Sequence, residues 1–169
     1  MAVSFDEMMG STLSGFMNSP FELLLGRTTY EIWAAYWPVS KTAPVEIAKP
    51  FNATKKHVVS HESFEPSWDN SICITGDVVA QIRKLKKEDG PELRVWGSGN
   101  LIQTLLKHHL IDRMHLWIYP LTIGNGKRLF ADGTQAEAFK LVESKISSSG
   151  VILATYEPVG GFKTGRVDG

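Results

Sequence analysis

At 169 residues the chain is long enough to bury most of its apolar surface around one core. Hydrophobic residues make up 43% and charged residues 21%, which argues against disorder. A net charge of zero removes the basic excess that a nucleic-acid or polybasic membrane binder needs, and the single cysteine, Cys73, excludes an internal disulfide or a cysteine-rich zinc site and fits a reducing cytoplasm.

No apolar run approaches the ~20 residues that span a bilayer, and the acidic start Met1–Glu7 reads without a signal-peptide core. Ser4-Phe5-Asp6-Glu7 has capping-box spacing. It predicts a helix with Phe5, Met8, Met9, Leu13, Phe16 and Met17 on one apolar face, ended by Asn18-Ser19-Pro20. Phe21–Leu25 reads as a buried strand. Gly26-Arg27 turns the chain, and Thr28-Thr29-Tyr30-Glu31 offers a second capping box for a helix through Ile32, Trp33 and Ala35 that stops before Pro38. Residues 39–55, with prolines at 44 and 50, read as irregular. His57–Ser60 and Ser71–Thr75 are strand candidates. Gly76-Asp77 then opens a helix from Val78 to about Lys87, closed by Asp89-Gly90-Pro91.

Glu92–Trp96 reads as a strand, Gly97-Ser98-Gly99 as a turn and Asn100–His108 as a helix. Met114–Tyr119, Phe139–Lys145 and Val151–Tyr156 read as strands, the last two joined into a hairpin by Ser147–Gly150. The order predicts an α/β fold with a mostly parallel central sheet flanked by helices and antiparallel C-terminal strands at one edge. One domain is expected over residues 1–159, with a flexible tail over 160–169.

Three turns share one design. Those at Gly26-Arg27-Thr28-Thr29, at Gly76-Asp77 and at Gly97-Ser98-Gly99-Asn100 each follow a hydrophobic strand and open a helix. A parallel sheet places such turns at the carboxyl ends of its strands, where free helix N-terminal N–H groups face an anion. Any one of them alone is an ordinary tight turn. Arg27 beside two threonines, and Ser98 beside Asn100, add the donors that suit a phosphate monoester. The full dinucleotide fingerprint, with its acidic residue ~20 positions on, is absent.

Four segments in order resemble the dihydrofolate-reductase-like family, close to the reductase domain of the bifunctional riboflavin-biosynthesis deaminase/reductase. They are Leu23-Leu24-Leu25-Gly26-Arg27-Thr28-Thr29-Tyr30-Glu31, His57-Val58-Val59-Ser60, Val95-Trp96-Gly97-Ser98-Gly99 and the stretch from Pro120 to Phe130. The resemblance spans about residues 5–157. It implies NADPH as cofactor and hydride transfer to a small pterin-like or pyrimidine-like heterocycle. It implies that Gly26, Arg27, Thr28 and Thr29 hold the adenosine-side phosphates, that Ser60 helps at the 2′-phosphate, and that Gly97, Ser98, Gly99 and Asn100 cradle the pyrophosphate. Gly76 and Leu101 complete the expected cofactor-binding set. No catalytic residue is named, and neither metal nor flavin is implied. The zinc-deaminase signature is not found. Family members generally begin on a hydrophobic strand ending in a Ser-Leu-Asp-Gly-like segment. Val3-Ser4-Phe5-Asp6 matches it poorly, so that usual first strand is expected to be missing. The alternative expectation is a nucleotide-binding, oligomeric relative without turnover.

Other candidates weigh less. His108-His109 suits a helix C-terminus, and His57, His61 and His115 lack metal-ligand spacing. Asp6 and Glu7 could supply an acid near a substrate, with capping the stronger reading. Trp33, Trp37, Trp68, Trp96 and Trp117 read as core or interface rings, Trp96 being the one able to touch a ligand. The Gly124-Asn125-Gly126-Lys127 loop reads as a β-turn or an anion contact. An apolar, Trp-rich surface points to a homodimer, as in relatives of this family.

Overall fold

The computed structural model describes residues 5–161. Helix α1 (Glu7–Asn18) starts at Asp6, whose Oδ1 accepts the Met9 N–H at 3.0 Å. The cap is therefore Asp6 and not the expected Ser4, which lies outside the described residues. The other Asp6 oxygen accepts from Ser148 Oγ at 2.9 Å, tying the helix start to a distant turn. These bonds, the one from Met9 first, hold the Asp6 carboxyl below its ordinary pKa. Met9 and Met17 are buried, whereas Phe5 stays 58% exposed and so departs from the expected apolar face.

Strands β1 (Phe21–Gly26), β2 (Lys56–Val59), β3 (Ser71–Ile74) and β4 (Glu92–Arg94) form a parallel sheet in the order β3-β2-β1-β4. Helices α2 (Arg27–Ala34), α4 (Val78–Leu85) and α5 (Gly99–Lys107) follow β1, β3 and β4. The apolar run Leu23–Leu25 of β1 is buried on both faces, as a central parallel strand requires. Leu23 and Leu25 join Tyr30, Phe51, Val58 and Trp68, while Leu24 joins Ile74, Ile82, Leu101 and Leu105.

The stretch expected to be irregular contains helix α3 (Val45–Ala53), with Pro50 inside it. Proline removes one helical N–H and usually breaks a helix. Tertiary packing outweighs that here. Phe51 is buried, with ring centroids 4.8 Å from Trp33 and 5.0 Å from Trp37. Just beyond it, Lys56 is fully buried. Its Nζ donates to the carbonyls of Asn52 (3.1 Å), Thr54 (2.7 Å) and Asp69 (3.0 Å), and burial pushes its pKa down to about 8.

Strands β5 (Met114–Ile118), β6 (Ala138–Ile146) and β7 (Ile152–Gly160) are antiparallel in the order β5-β7-β6, with β6 and β7 forming the expected hairpin. They make a sheet of their own rather than an edge of the parallel one. Strand β7 runs one residue past the domain limit placed at 159, and residues 162–169 of the expected tail lie outside the described residues. Among the described residues no strand precedes α1, β4 pairs only with β1, and β5 pairs only with β7. Phe16 of α1 stands edge-on to both Trp96 (6.4 Å), which follows β4, and His115 of β5 (4.8 Å).

Candidate functional site

Because β1 to β4 run parallel, Gly26, Ser60, Gly76 and Gly97 all fall at one edge of the sheet, beyond the strands' carboxyl ends. Strands β1 and β4 are neighbours, so the Gly26 and Gly97 turns lie side by side. Ser98 joins them. Its Oγ accepts the Gly26 N–H at 3.0 Å and donates to the Trp96 carbonyl at 3.1 Å. Its own N–H reaches back to Thr29 Oγ1 at 3.1 Å. Gly97 (φ 59°) and Ser98 (φ 54°) are both left-handed, a conformation glycine adopts freely and serine rarely. A side chain at Gly99 would meet open space, so backbone is exposed to a ligand there.

The first turn of a helix leaves N–H groups without intrahelical partners. In α2 these belong to Arg27, Thr28 and Thr29, and in α5 to Gly99, Asn100 and Leu101. Neither helix has a side-chain cap bond. The expected capping box at Thr28–Glu31 is therefore not formed. Thr29 accepts from Ser98 instead, and Glu31 pairs with Arg27 Nε at 2.8 Å. That hydrogen bond raises the Arg27 pKa and keeps the side chain cationic. The guanidinium stacks 4.5 Å over Phe64, and its terminal nitrogens bond no side chain or carbonyl among the described residues. Ser60 is buried at the end of β2, next to β1. Its N–H donates to the Ile74 carbonyl, and its Oγ accepts from the Glu62 N–H at 3.3 Å.

Two expected members stand apart. Gly76 follows β3, which β2 separates from β1, and α4 is capped by its own Asp77 through the Ala80 N–H at 2.9 Å. That carboxylate occupies the place an anion would take. The Leu101 side chain is buried in the core, leaving only its N–H toward the turn. Trp96 packs with Phe16, Trp33 and Phe51 rather than presenting a free face. Sequence reasoning missed Glu31 as the Arg27 partner, which its i,i+4 spacing signals, and missed Phe64, which no local pattern marks.

Three of the five histidines have side-chain partners. His57 meets Glu22 at 2.7 Å, His109 meets Glu137 at 3.1 Å, and His115 meets Thr155 Oγ1 at 3.0 Å. Among the described residues no three potential ligands gather for a metal. The Gly124–Lys127 loop is exposed. The residues that follow it are anchored to α5 by Gln103, through the Leu129 carbonyl and Thr134 Oγ1. A separate cleft of about 360 Å³ lies between α1 and the antiparallel sheet, lined by Ser11, Thr12, Phe16, His115, Trp117 and Thr155 among others. Burial lowers the His115 pKa there, which favours the neutral imidazole.

The model of the family described as the RibD C-terminal domain matches residues 17–153. YyaP of Bacillus subtilis (strain 168), an uncharacterized protein, is 32% identical over 153 residues, covering 89% of this chain and 80% of YyaP. A Shewanella sp. PV-4 protein named for riboflavin biosynthesis has a similar structure, with TM-score 0.68 and 23% identity over 92% of this chain and 81% of its own. A pyrimidine reductase-like protein of Corynebacterium diphtheriae shares the fold at TM-score 0.62 and 13% identity, over 93% of this chain and 83% of its own.

Proposed function

The chain belongs to the RibD C-terminal domain family, and on that premise we propose that it is an NADPH-dependent reductase acting on a small pterin- or pyrimidine-like heterocycle. The observation that carries this reading is the Ser98 bridge, which sets two uncapped helix N-termini side by side at the carboxyl edge of the sheet. Bound NADPH would supply the hydride.

The chain's own residues bind and orient. The N–H groups of Gly99, Asn100 and Leu101 would hold the pyrophosphate oxygens, helped by the positive end of the α5 dipole. Arg27, held flat between Glu31 and Phe64, offers its terminal nitrogens to a phosphate monoester, and the Ser60 hydroxyl stands at the neighbouring strand end. Gly76 plays no part in that grip. Phe16 lines the α1 cleft and stands edge-on to Trp96, just before the Gly97 turn, which makes that cleft of about 360 Å³ the candidate place for the heterocycle. In it the neutral His115 ring and the Ser11, Thr12 and Thr155 hydroxyls provide hydrogen-bonding partners. The single thiol, Cys73, suits a cytoplasmic enzyme.

The test is NADPH oxidation at 340 nm against a panel of pterins and aminopyrimidines. Turnover with at least one member is expected. Tight NADPH binding with no oxidation across the panel would move the conclusion to a non-catalytic nucleotide-binding relative.

A further inference from the structure

Three of the four parallel strands lead into a helix, and β2 does not. Residues 60–70, all among the described residues, join β2 to β3 with neither helix nor strand between them. The helix N-terminus that grips an anion at the end of a strand is therefore absent beside Ser60. What this connection offers instead is Phe64, whose ring lies 4.5 Å from the Arg27 guanidinium carbon that stands over it.

Irregular backbone has no ladder of its own to hold it, so other groups must fix its course. The far end of the connection is fastened by side chains. The buried Trp68 N–H donates to the Tyr30 hydroxyl at 2.9 Å, and the Trp68 indole Nε1 donates to Asn52 Oδ1 at 2.8 Å. Lys56 Nζ donates to the Asp69 carbonyl at 3.0 Å and stands 4.3 Å from the Trp68 ring centroid. Trp68 is thus sealed in the core and forms no part of the Trp-rich surface expected from the sequence.

Of these anchors only Tyr30 belongs to the helix that carries Arg27. The two residues are three apart in α2 and so lie on one side of it. The Tyr30 ring packs 5.7 Å from Phe64 while its hydroxyl holds the Trp68 N–H. Glu65, Pro66 and Ser67 alone separate Phe64 from Trp68, and the proline ring fixes one of the intervening dihedrals. Pinning Trp68 therefore pins Phe64. Tyr30 is 2% exposed, so it reaches a ligand only through its neighbours.

We propose that Tyr30 and Phe64 are positioning residues that set the preference for NADPH over NADH. Tyr30 holds the 60–70 connection against α2, and the connection lays Phe64 against the Arg27 guanidinium, whose terminal nitrogens are left for the 2′-phosphate. The proposal rests on the reading of Arg27 as the holder of that phosphate. The Arg27 side chain is 42% exposed. Without the stack it would be ordered only as the phosphate arrives, at the cost of its rotamer freedom. Stacked on Phe64 and tied through Nε to Glu31, it is ordered beforehand. NADH has no 2′-phosphate and gains nothing from that order.

Dissociation constants of NADPH and NADH, read by tryptophan fluorescence on the full chain, test it in wild type, Arg27→Ala, Tyr30→Phe and the double variant. Tyr30→Phe keeps the ring and removes one hydroxyl. It is expected to weaken NADPH about tenfold and to leave NADH within about twofold. In the Arg27→Ala background the same change is expected to weaken NADPH no further, because its effect passes through the guanidinium. Equal weakening of both cofactors by Tyr30→Phe overturns the proposal, as does an NADPH loss of the same size with and without Arg27. Should Tyr30→Phe misfold, Phe64→Leu, on a half-buried ring, replaces it with the same expectations. An NADPH preference lost in Arg27→Ala but intact in Tyr30→Phe or its replacement overturns this proposal alone. A preference that survives Arg27→Ala overturns the phosphate reading and this proposal with it.

Discussion

Ser98→Ala removes the hydroxyl that connects the two glycine turns. The Gly26 N–H, part-buried, loses its Ser98 acceptor, and the Trp96 carbonyl loses a donor. A part-buried donor left unpaired costs about 1–3 kcal/mol, so the expected destabilisation is about 2 kcal/mol. Backbone conformation makes a second variant informative. Position 98 has φ 54°, where a Cβ is strained, so Ser98→Gly loses the same hydroxyl but recovers about 1 kcal/mol of strain. Urea unfolding of the three proteins should therefore rank wild type, then Gly, then Ala. NADPH affinity in Ser98→Ala should fall about tenfold, equivalent to ~1.4 kcal/mol, because the turns lose their mutual alignment. Stability within about 0.5 kcal/mol of wild type, together with unchanged NADPH affinity, would refute the bridging role.

Lys56→Met leaves three carbonyls without their donor and should cost about 3 kcal/mol in urea unfolding. The folded pKa near 8 lies below the ordinary 10.5, so between these values the unfolded chain binds more protons. Wild-type stability relative to the Met variant should then rise with pH across that window, by at most ~3 kcal/mol, and a flat difference contradicts the burial argument. Asp6→Ala should lower the melting temperature at neutral pH. The gap should close as pH falls through 3.8 and below, because a depressed carboxyl pKa contributes only while the group is ionised. His115→Ala should raise the KM for the heterocycle while leaving the NADPH Kd unchanged, and a change confined to Kd removes the cleft from the substrate path.

What the residues disclosed follows the range of the interactions. The apolar run of β1, the glycine turns and the β6–β7 hairpin are local, and each was legible. Helix α3 was not, because Pro44 and Pro50 are local breakers and the packing of Phe51 on Trp33 and Trp37 is a tertiary contact. Thr28–Glu31 shows a capping box on paper, but the helix starts at Arg27 with Gly26 at its cap position, so Thr28 already lies inside the first turn and Glu31 pairs with Arg27. The left-handed backbone at Ser98 has no marker in a serine side chain. Gly76 looked like its two counterparts until sheet order put β2 between it and Gly26. The separation into two sheets depends on strand partners, which hydrophobic alternation does not encode.

Whether the joined turns hold a phosphorylated dinucleotide through Arg27, as proposed, is tested most directly by titration with NADPH and NADH followed by tryptophan fluorescence. The wild type should bind NADPH more tightly than NADH, and Arg27→Ala should bind the two alike, with NADH affinity little changed. No binding of either cofactor at millimolar concentration, or an NADPH preference that survives Arg27→Ala, would contradict it.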